Sequence, residues 1–226
     1  HRLLKPPPAP KRDAALEEVA SFHNHYLCYV WALLTFVTGH RDVTAPLGSL
    51  ADYNPITRTW WISDKEIRNG LAARTLVIPV TAARQVAFYQ AHLHALGQRY
   101  RLLHRELAQR CDAALDGSKN LLFFILHDSQ GHLLPQDPTP SNLNQQLGNR
   151  LPIQHNWARH HLRSVLLRSE LAPSVIDGWM GHEEIGESIF GRHSCLSIQT
   201  LQHVADLIEA HLNFHQIEAR AGWQIL

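Results

Sequence analysis

Three segments of the chain carry residue types that could act together on a phosphate group. Arg41 lies two residues after a Thr-Gly turn, and Lys65 ends a segment rich in aromatic and β-branched residues. Arg159 opens a third segment, which closes 23 residues later at His182. Two guanidinium groups can each direct forked N–H donors at the non-bridging oxygens of a phosphodiester. Taken singly, each segment also has an ordinary interpretation: a surface ion pair, a solvated lysine or the end of a helix.

Taken in order, the segments resemble the catalytic domain of the tyrosine recombinases, the phage-integrase family. Thr38-Gly39-His40-Arg41 matches the Thr-Gly-x-Arg box of that family, and Lys65 matches its β-hairpin lysine. Arg159-His160 matches the Arg-His pair that opens a helix, and Gly181-His182 matches the Gly-His pair that follows. The resemblance covers about residues 15–215, which is nearly the whole chain.

The resemblance implies a role for each matched residue. Arg41 and Arg159 would hold the scissile phosphate, and Lys65 would protonate the leaving 5′ oxygen. His182 would hold the phosphate or assist proton transfer. Phosphoryl transfer depends mainly on positioning and charge stabilisation, so the arginines could supply the positive charge. No metal or other cofactor is therefore expected.

Two positions depart from the family pattern. The family has a histidine three residues before the second arginine, where this chain has Asn156, with His155 one residue earlier. An amide can donate a hydrogen bond to phosphate but cannot act as a general base. One helical step turns a side chain by about 100°, so only one of the two residues can face the site. We predict that Asn156 does.

The second departure concerns the nucleophile, a tyrosine in the family. No tyrosine follows Tyr100, and the expected region reads SIFGRHSCLS. His193 is the predicted equivalent position, and Phe190 is the alternative. A histidine can in principle form a phosphoramidate, but the simpler interpretation is a lost nucleophile. Tyr26 and Tyr29 lie in the first predicted helix, on a face that we expect to be in the core.

The predicted partners are double-stranded DNA and other recombinase protomers, with no membrane. The predicted function is site-specific recombination or integration; the alternative is a DNA-binding or regulatory partner that lacks the nucleophile. A third hypothesis, from another class, is a histidine-rich metal-binding or interaction module. The residues predicted to contact DNA are Arg58, Arg68, Arg74, His160 and Arg192.

The elements that must position these residues indicate an α+β fold, mostly helical with a small antiparallel sheet. We predict a first helix capped by Asp13 that runs to Val37, and a later helix capped by Ser141. Pro135, Pro138 and Pro140 argue against regular structure between strand 121–128 and that helix. The other predicted strands are 57–65 and 73–80, and residues 121–126 could add a third strand to their sheet. The other predicted helices are 81–115, 153–170, 173–180 and 198–214.

Composition limits the class of protein. The chain has 226 residues, 45% of them hydrophobic, and a net charge of +1, so a strongly polybasic binder is excluded. Residues 1–13 are interpreted as a linker and 14–226 as the catalytic domain. Because the chain starts at a histidine, we expect upstream residues to be missing. The three cysteines form no CxxC pair, which favours a reducing compartment, here the cytoplasm, with nucleoid association if bacterial.

Two further clusters have alternative interpretations. His211 and His215 have the i, i+4 spacing of a helical zinc chelate, but the sequence offers no defined third ligand. No metal site is therefore predicted. Trp60 and Trp61 could stack on bases, yet alternation along a strand places one of them in the core and the other in solvent.

Overall fold

The structure is a computed structural model that describes residues 6–11, 13–41, 48–63, 73–147, 156–181 and 196–223. Over these residues it is α+β and 56% helical, with short antiparallel strands, as the sequence predicts. Within these residues, no helix is both long and apolar enough to span a bilayer. Lys65, Arg68, His155, His182, Phe190, Arg192 and His193 lie outside the described residues.

The first helix, α1 (Leu16–Thr38), is the centre of the fold. Its residues are apolar on nearly all sides, and it packs against α2, α4, α5 and β4. The expected cap at Asp13 is wrong, because the residue before the helix is Ala15, which makes no side-chain capping bond. Glu17 and Glu18 instead place negative charge in the first turn, where the helix dipole favours it. Gly39 ends the helix in a left-handed conformation.

A three-stranded antiparallel sheet follows a short 3-10 helix (Leu50–Asp52) and has the order β1-β2-β3. The strands are β1 (Tyr53–Asn54), β2 (Thr59–Ser63) and β3 (Ala73–Val77). The two predicted strands exist but are shorter than expected. Trp60 is fully buried and Trp61 is 49% exposed, which confirms the predicted alternation.

The predicted helical stretch 81–115 divides into α2 (Val80–Tyr100) and α3 (Arg105–Leu115), with a turn at 101–104. The two helices pack closely at Gly97, where an added Cβ would lie 3.1 Å from the Cβ of Cys111. A glycine at this position therefore lets the helices approach each other.

The second sheet corrects two predictions. Strand β4 (Phe124–His127) does not join the first sheet; it pairs antiparallel with β5 (Leu133–Gln136). Pro135 lies inside β5, opposite Ile125. Proline is tolerated there because both strands of a two-stranded sheet are edge strands. The expectation that prolines exclude regular structure here is therefore wrong.

The helix after this sheet also begins differently from the prediction. Helix α4 (Pro140–Leu147) starts at a proline, which suits a first helical position because its missing N–H would have no partner there. The cap is Thr139 rather than Ser141, since the Thr139 hydroxyl accepts from the Asn142 N–H at 3.2 Å. The side chain of Asn142 returns a bond to the Thr139 N–H at 2.6 Å.

The last three helices agree with the prediction over the residues described. They are α5 (Trp157–Leu167), α6 (Pro173–Met180) and α7 (Ile198–Phe214). Helices α5 and α6 pack on each other, α5 also contacts α1, and α6 and α7 both contact β3. This packing brings the end of α1, the start of α5 and the end of α6 together.

Candidate functional site

The side chain of Arg159 joins the C-terminal ends of two helices. It rises from the first turn of α5 and is only 6% exposed. Its Nη1 donates to the carbonyl oxygen of Gly39, at the end of α1, at 2.5 Å. Its Nη2 donates to the carbonyl oxygen of Met180, the last residue of α6, at 2.7 Å. We call this meeting point the arginine junction, formed by Gly39, Arg159 and Met180.

Helix geometry explains why an arginine is stable at this point. The last carbonyls of a helix have no partner within the helix and carry the negative end of its dipole. Gly39 and Gly181 both adopt left-handed conformations that end α1 and α6 beside Arg159. A Cβ on Gly39 would lie 3.0 Å from the Met180 sulfur, so glycine permits the close contact between these ends.

A second arginine lies against the same helix ends. Arg74, in β3, donates from Nη2 to the carbonyl oxygen of Thr38 at 3.2 Å. A Cβ added to Gly181 would lie 3.1 Å from Arg74 Nη1, so the guanidinium packs directly on this glycine. The sequence prediction placed Arg74 among general DNA contacts around the hairpin. Its position beside the Thr-Gly and Gly-His boxes was not foreseen.

Arg41 follows Gly39 by two residues and is partly buried. The structure therefore brings three parts of the predicted site together: the Thr-Gly-x-Arg box, Arg159, and Gly181 of the Gly-His box. These parts span more than 140 residues of sequence. Lys65, His182 and His193, the other predicted catalytic residues, lie outside the described residues.

Asn156 lies immediately before α5, three residues from Arg159. Its φ of 63° is left-handed, a conformation that asparagine tolerates better than most residues. The backbone carbonyl of Asn156 accepts from the His160 N–H at 3.2 Å, while its side chain makes no capping bond. The side-chain oxygen is buried and has no hydrogen-bond partner in the described part of the chain. His160 itself is exposed on α5.

Several other arginines make internal contacts. Arg58, predicted to contact DNA, donates to the carbonyl of Ile78 at 3.1 Å and to the side chain of Gln202 at 2.9 Å. Arg101 pairs with Asp112, and Arg110 pairs with Asp137. These contacts give each of the three guanidiniums a structural role within the protein.

The tyrosines are unsuited to nucleophilic attack in this arrangement. All five precede residue 101, and burial raises the pKa of every one of them. Tyr26 and Tyr29 are buried in α1, as predicted, and both hydroxyls donate to backbone carbonyls near the C-terminus, those of Arg220 and Glu218. A phenol held in this way cannot approach a phosphate bound outside the core.

Three histidines from two helices lie together, including the pair expected from its i, i+4 spacing. His211 and His215 do lie side by side, with ring centroids 4.5 Å apart, and His161 from α5 lies 5.7 Å from His211. The three rings line a mainly apolar cavity of about 360 Å³ with Phe36 and Trp157. Burial, and secondarily His215, lower the pKa values of His161 and His211. In the described residues, no group of three His, Cys, Asp or Glu side chains is arranged to hold a metal ion.

No family model, no curated protein and no solved structure matches this chain. Sequence reasoning missed the contribution of Met180, whose carbonyl binds Arg159 and whose sulfur packs on Gly39. A backbone carbonyl leaves no signal in residue type, so the motif alone could not have identified it.

Proposed function

We propose that this chain is a DNA-binding domain of the tyrosine-recombinase type. In this proposal Arg159 and Arg41 clamp a backbone phosphate of duplex DNA for strand breakage and rejoining in site-specific recombination or integration. The observation that carries the proposal is the arginine junction. Arg159 lies between the Thr-Gly box and the start of the Gly-His box, and those boxes are far apart in the sequence.

The charge of the junction also supports this proposal. The two carbonyl partners of Arg159 are neutral groups that orient its positively charged guanidinium. Arg74 brings a second guanidinium to the same helix ends. Planar, forked N–H donors match the paired oxygens of a phosphate, as they do those of a carboxylate.

A second candidate function is a recombinase-like domain that binds DNA without cutting it. All five tyrosines lie in the first 100 residues, and Tyr26, Tyr29, Tyr89 and Tyr100 are buried. Such a domain would act as a regulatory partner of an active recombinase in a synaptic assembly. The two candidates share the phosphate clamp and differ only at the nucleophile.

Covalent trapping on a nicked duplex distinguishes the two candidates. The unmodified chain should form no adduct, because no tyrosine follows residue 100 and four of the five tyrosines are buried. His193→Tyr should form one if residue 193 is the vacated position and the rest of the site is intact. Phe190→Tyr tests the alternative position and is the matched control. If only the double variant Asn156→His/His193→Tyr forms an adduct, Asn156 is the residue that blocks proton transfer.

The opposite outcomes are equally informative. An adduct of the unmodified chain that maps to His193 would establish a histidine nucleophile. If the variants bind DNA but none forms an adduct, the non-cleaving function is the correct one. If the unmodified chain binds no duplex at low salt, both candidates fail.

Salt-dependent binding tests the clamp itself. Arg41→Ala should weaken binding of duplex DNA about 10-fold or more on any sequence, because a charge-assisted hydrogen bond contributes roughly 1.5–3 kcal/mol. The slope of log K against log salt should fall by about 1. Arg105→Ala, an exposed arginine on α3, is the control and should change neither value as much. Fluorescence anisotropy at several salt concentrations measures both.

A further inference from the structure

Two histidines from α1 and α2 form a hydrogen-bonded pair inside the core. His23 in α1 and His92 in α2 are both fully buried. Nδ1 of His23 lies 3.0 Å from Nε2 of His92. The outer nitrogens also have partners: His23 Nε2 lies 2.8 Å from the carbonyl oxygen of Phe123, and His92 Nδ1 lies 3.1 Å from the backbone nitrogen of Trp223.

These partners determine where the protons are. The carbonyl of Phe123 can only accept, so Nε2 of His23 must carry a hydrogen. The backbone N–H of Trp223 can only donate, so Nδ1 of His92 must be bare. Each neutral imidazole has one N–H, and the hydrogen of His92 is therefore on Nε2, where it donates to the bare Nδ1 of His23. Both rings are Nε2–H tautomers, and every bond in the chain has one donor and one acceptor.

An additional proton cannot be accommodated in this chain. Placed on Nδ1 of His92, it faces the N–H of Trp223. Placed on Nδ1 of His23, it faces the N–H on Nε2 of His92. If the hydrogen of His92 moves to its Nδ1 to avoid this, that N–H faces the N–H of Trp223 instead. Each placement sets two donors against each other. Trp223 is the partner that can move, because the others lie in α1, α2 and the buried chain before β4.

Trp223 belongs to a segment, residues 217–223, that lies across α1 and α2. The amide of Gln85 accepts from the Arg220 N–H at 2.7 Å and donates to the Arg220 carbonyl at 3.0 Å. Gly222 packs so tightly that an added Cβ would overlap the ring of Tyr26 and lie 2.8 Å from His92. The segment has no regular secondary structure, so these contacts hold it in place.

We propose that the His23–His92 pair is an acid-sensitive latch, which holds segment 217–223 on the helical core and releases it when the pair takes up one proton. This proposal does not depend on the proposed DNA function. It concerns the position of the C-terminal segment alone.

The groups around the pair favour its neutral state while the segment is docked. The rings of Tyr26 from α1 and Tyr89 from α2 lie against the pair, and Arg110 from α3 adds positive charge nearby. Burial, opposed by the bond to Phe123 and reinforced by Arg110, lowers the pKa of His23 to about 4. Burial and then His23 lower the pKa of His92 well below its ordinary value.

The direction of the pH effect follows from linkage. When Trp223 is released, its N–H no longer opposes a proton on Nδ1 of His92, so the released state binds the proton at a higher pKa than the docked state, in which the pKa of His23 is about 4. Between these values the released state binds more protons, so acid favours release. Docking should weaken by up to about tenfold for each pH unit and each proton taken up.

Nuclear magnetic resonance of the full chain tests the latch directly. Side-chain ¹⁵N spectra at pH 7.5 should show His23 and His92 as Nε2–H tautomers. With 5-fluorotryptophan, the ¹⁹F signal of Trp223, assigned by Trp223→Phe, should move from a docked to a released position as the pH falls from 6.5 toward 4.5. The ¹⁵N signals of the pair should show proton uptake over the same range, and core tryptophans such as Trp60 should not change.

Variants distinguish the effect of protonating the His23–His92 pair from the effect of protonating other groups. Gly222→Ala should give the released signal at pH 7.5, because its Cβ cannot fit. The double variant His23→Gln/His92→Gln should stay docked at pH 4.5, since its amides can make similar bonds but cannot take up a proton. His94→Gln, an exposed histidine one half-turn from His92, is the control and should release like the unmodified chain.

Three results would overturn the proposal. The first is an Nδ1–H tautomer for either histidine at pH 7.5. The second is a Trp223 signal that stays docked while the pair takes up its proton. The third is release of Trp223 from the double glutamine variant at the same pH as from the unmodified chain. If that variant does not fold, the first two results on the unmodified chain still decide.

Discussion

The two ends of α1 show two ways to bury a basic group. At its C-terminal end, Arg159 enters the protein as a cation and meets the carbonyls of Gly39 and Met180. Nearer its N-terminal end, His23 is fully buried against His92, and the pKa values of both rings are lowered, chiefly by burial. Arginine cannot lose its proton in a protein, so the fold must supply acceptors. Histidine can, so burial alone is enough to make it neutral.

This difference determines how each region responds to a change of pH or to a substitution. The arginine junction should be insensitive to pH near neutrality but sensitive to the loss of any donor or helix end. The histidine pair should be sensitive to acid. Three predictions test this contrast, in order of decreasing effect.

The largest effect should be the pH dependence of stability due to the histidine pair. The unfolded chain binds these protons near pH 6.5 and folded His23 only near 4, so the free energy of unfolding should fall as the pH falls between these values. The slope should approach about 1.4 kcal/mol per pH unit for each histidine. Urea unfolding at several pH values measures it.

His92→Gln should flatten this dependence, whereas His94→Gln should leave it nearly unchanged because His94 is exposed on the same helix. Equal slopes for the two variants would show that acid acts on other groups and would remove the contrast between the two regions.

The next effect should come from the arginine junction. Arg159→Met leaves two buried carbonyls without their donor and should lower the free energy of unfolding by about 2–4 kcal/mol. Arg163→Met, one turn further along α5, removes a partly exposed ion pair with Asp177 and should cost less than about 1 kcal/mol. Urea unfolding at pH 7.5 compares them. Similar losses would mean that the carbonyl contacts do not stabilise the junction.

The smallest effect should come from the helix end that receives Arg159. Gly39→Ala combines a strained left-handed conformation with a Cβ only 3.0 Å from the Met180 sulfur. Gly131→Ala has the same kind of strain, with φ +83°, but no atom within 4 Å of the new Cβ. We expect about 1 kcal/mol for Gly131→Ala and 1–2 kcal/mol more for Gly39→Ala. Thermal unfolding measures the difference, and no difference would mean that Met180 moves aside freely.

Local patterns predicted much of the fold. The apolar run of α1, the helices at 173–180 and 198–214 and the alternation of Trp60 and Trp61 are properties of neighbouring residues, and the structure contains them all. The errors occurred where the partner of a segment decides its structure. The residues of β4 do not show which strand will pair with them. Pro135 is tolerated in β5 only because that strand is an edge strand.

The candidate site divides in the same way. The residue types at Arg41, Arg159 and Gly181 were readable from the chain, since forked donors and helix-ending glycines are properties of single residues. The sequence also established that no tyrosine follows residue 100. Only the tertiary structure places Arg159 against Gly39, 120 residues away, and His23 against His92, 69 residues away. Such contacts arise from the packing of whole helices, which the residue types and periodicity within one helix do not specify.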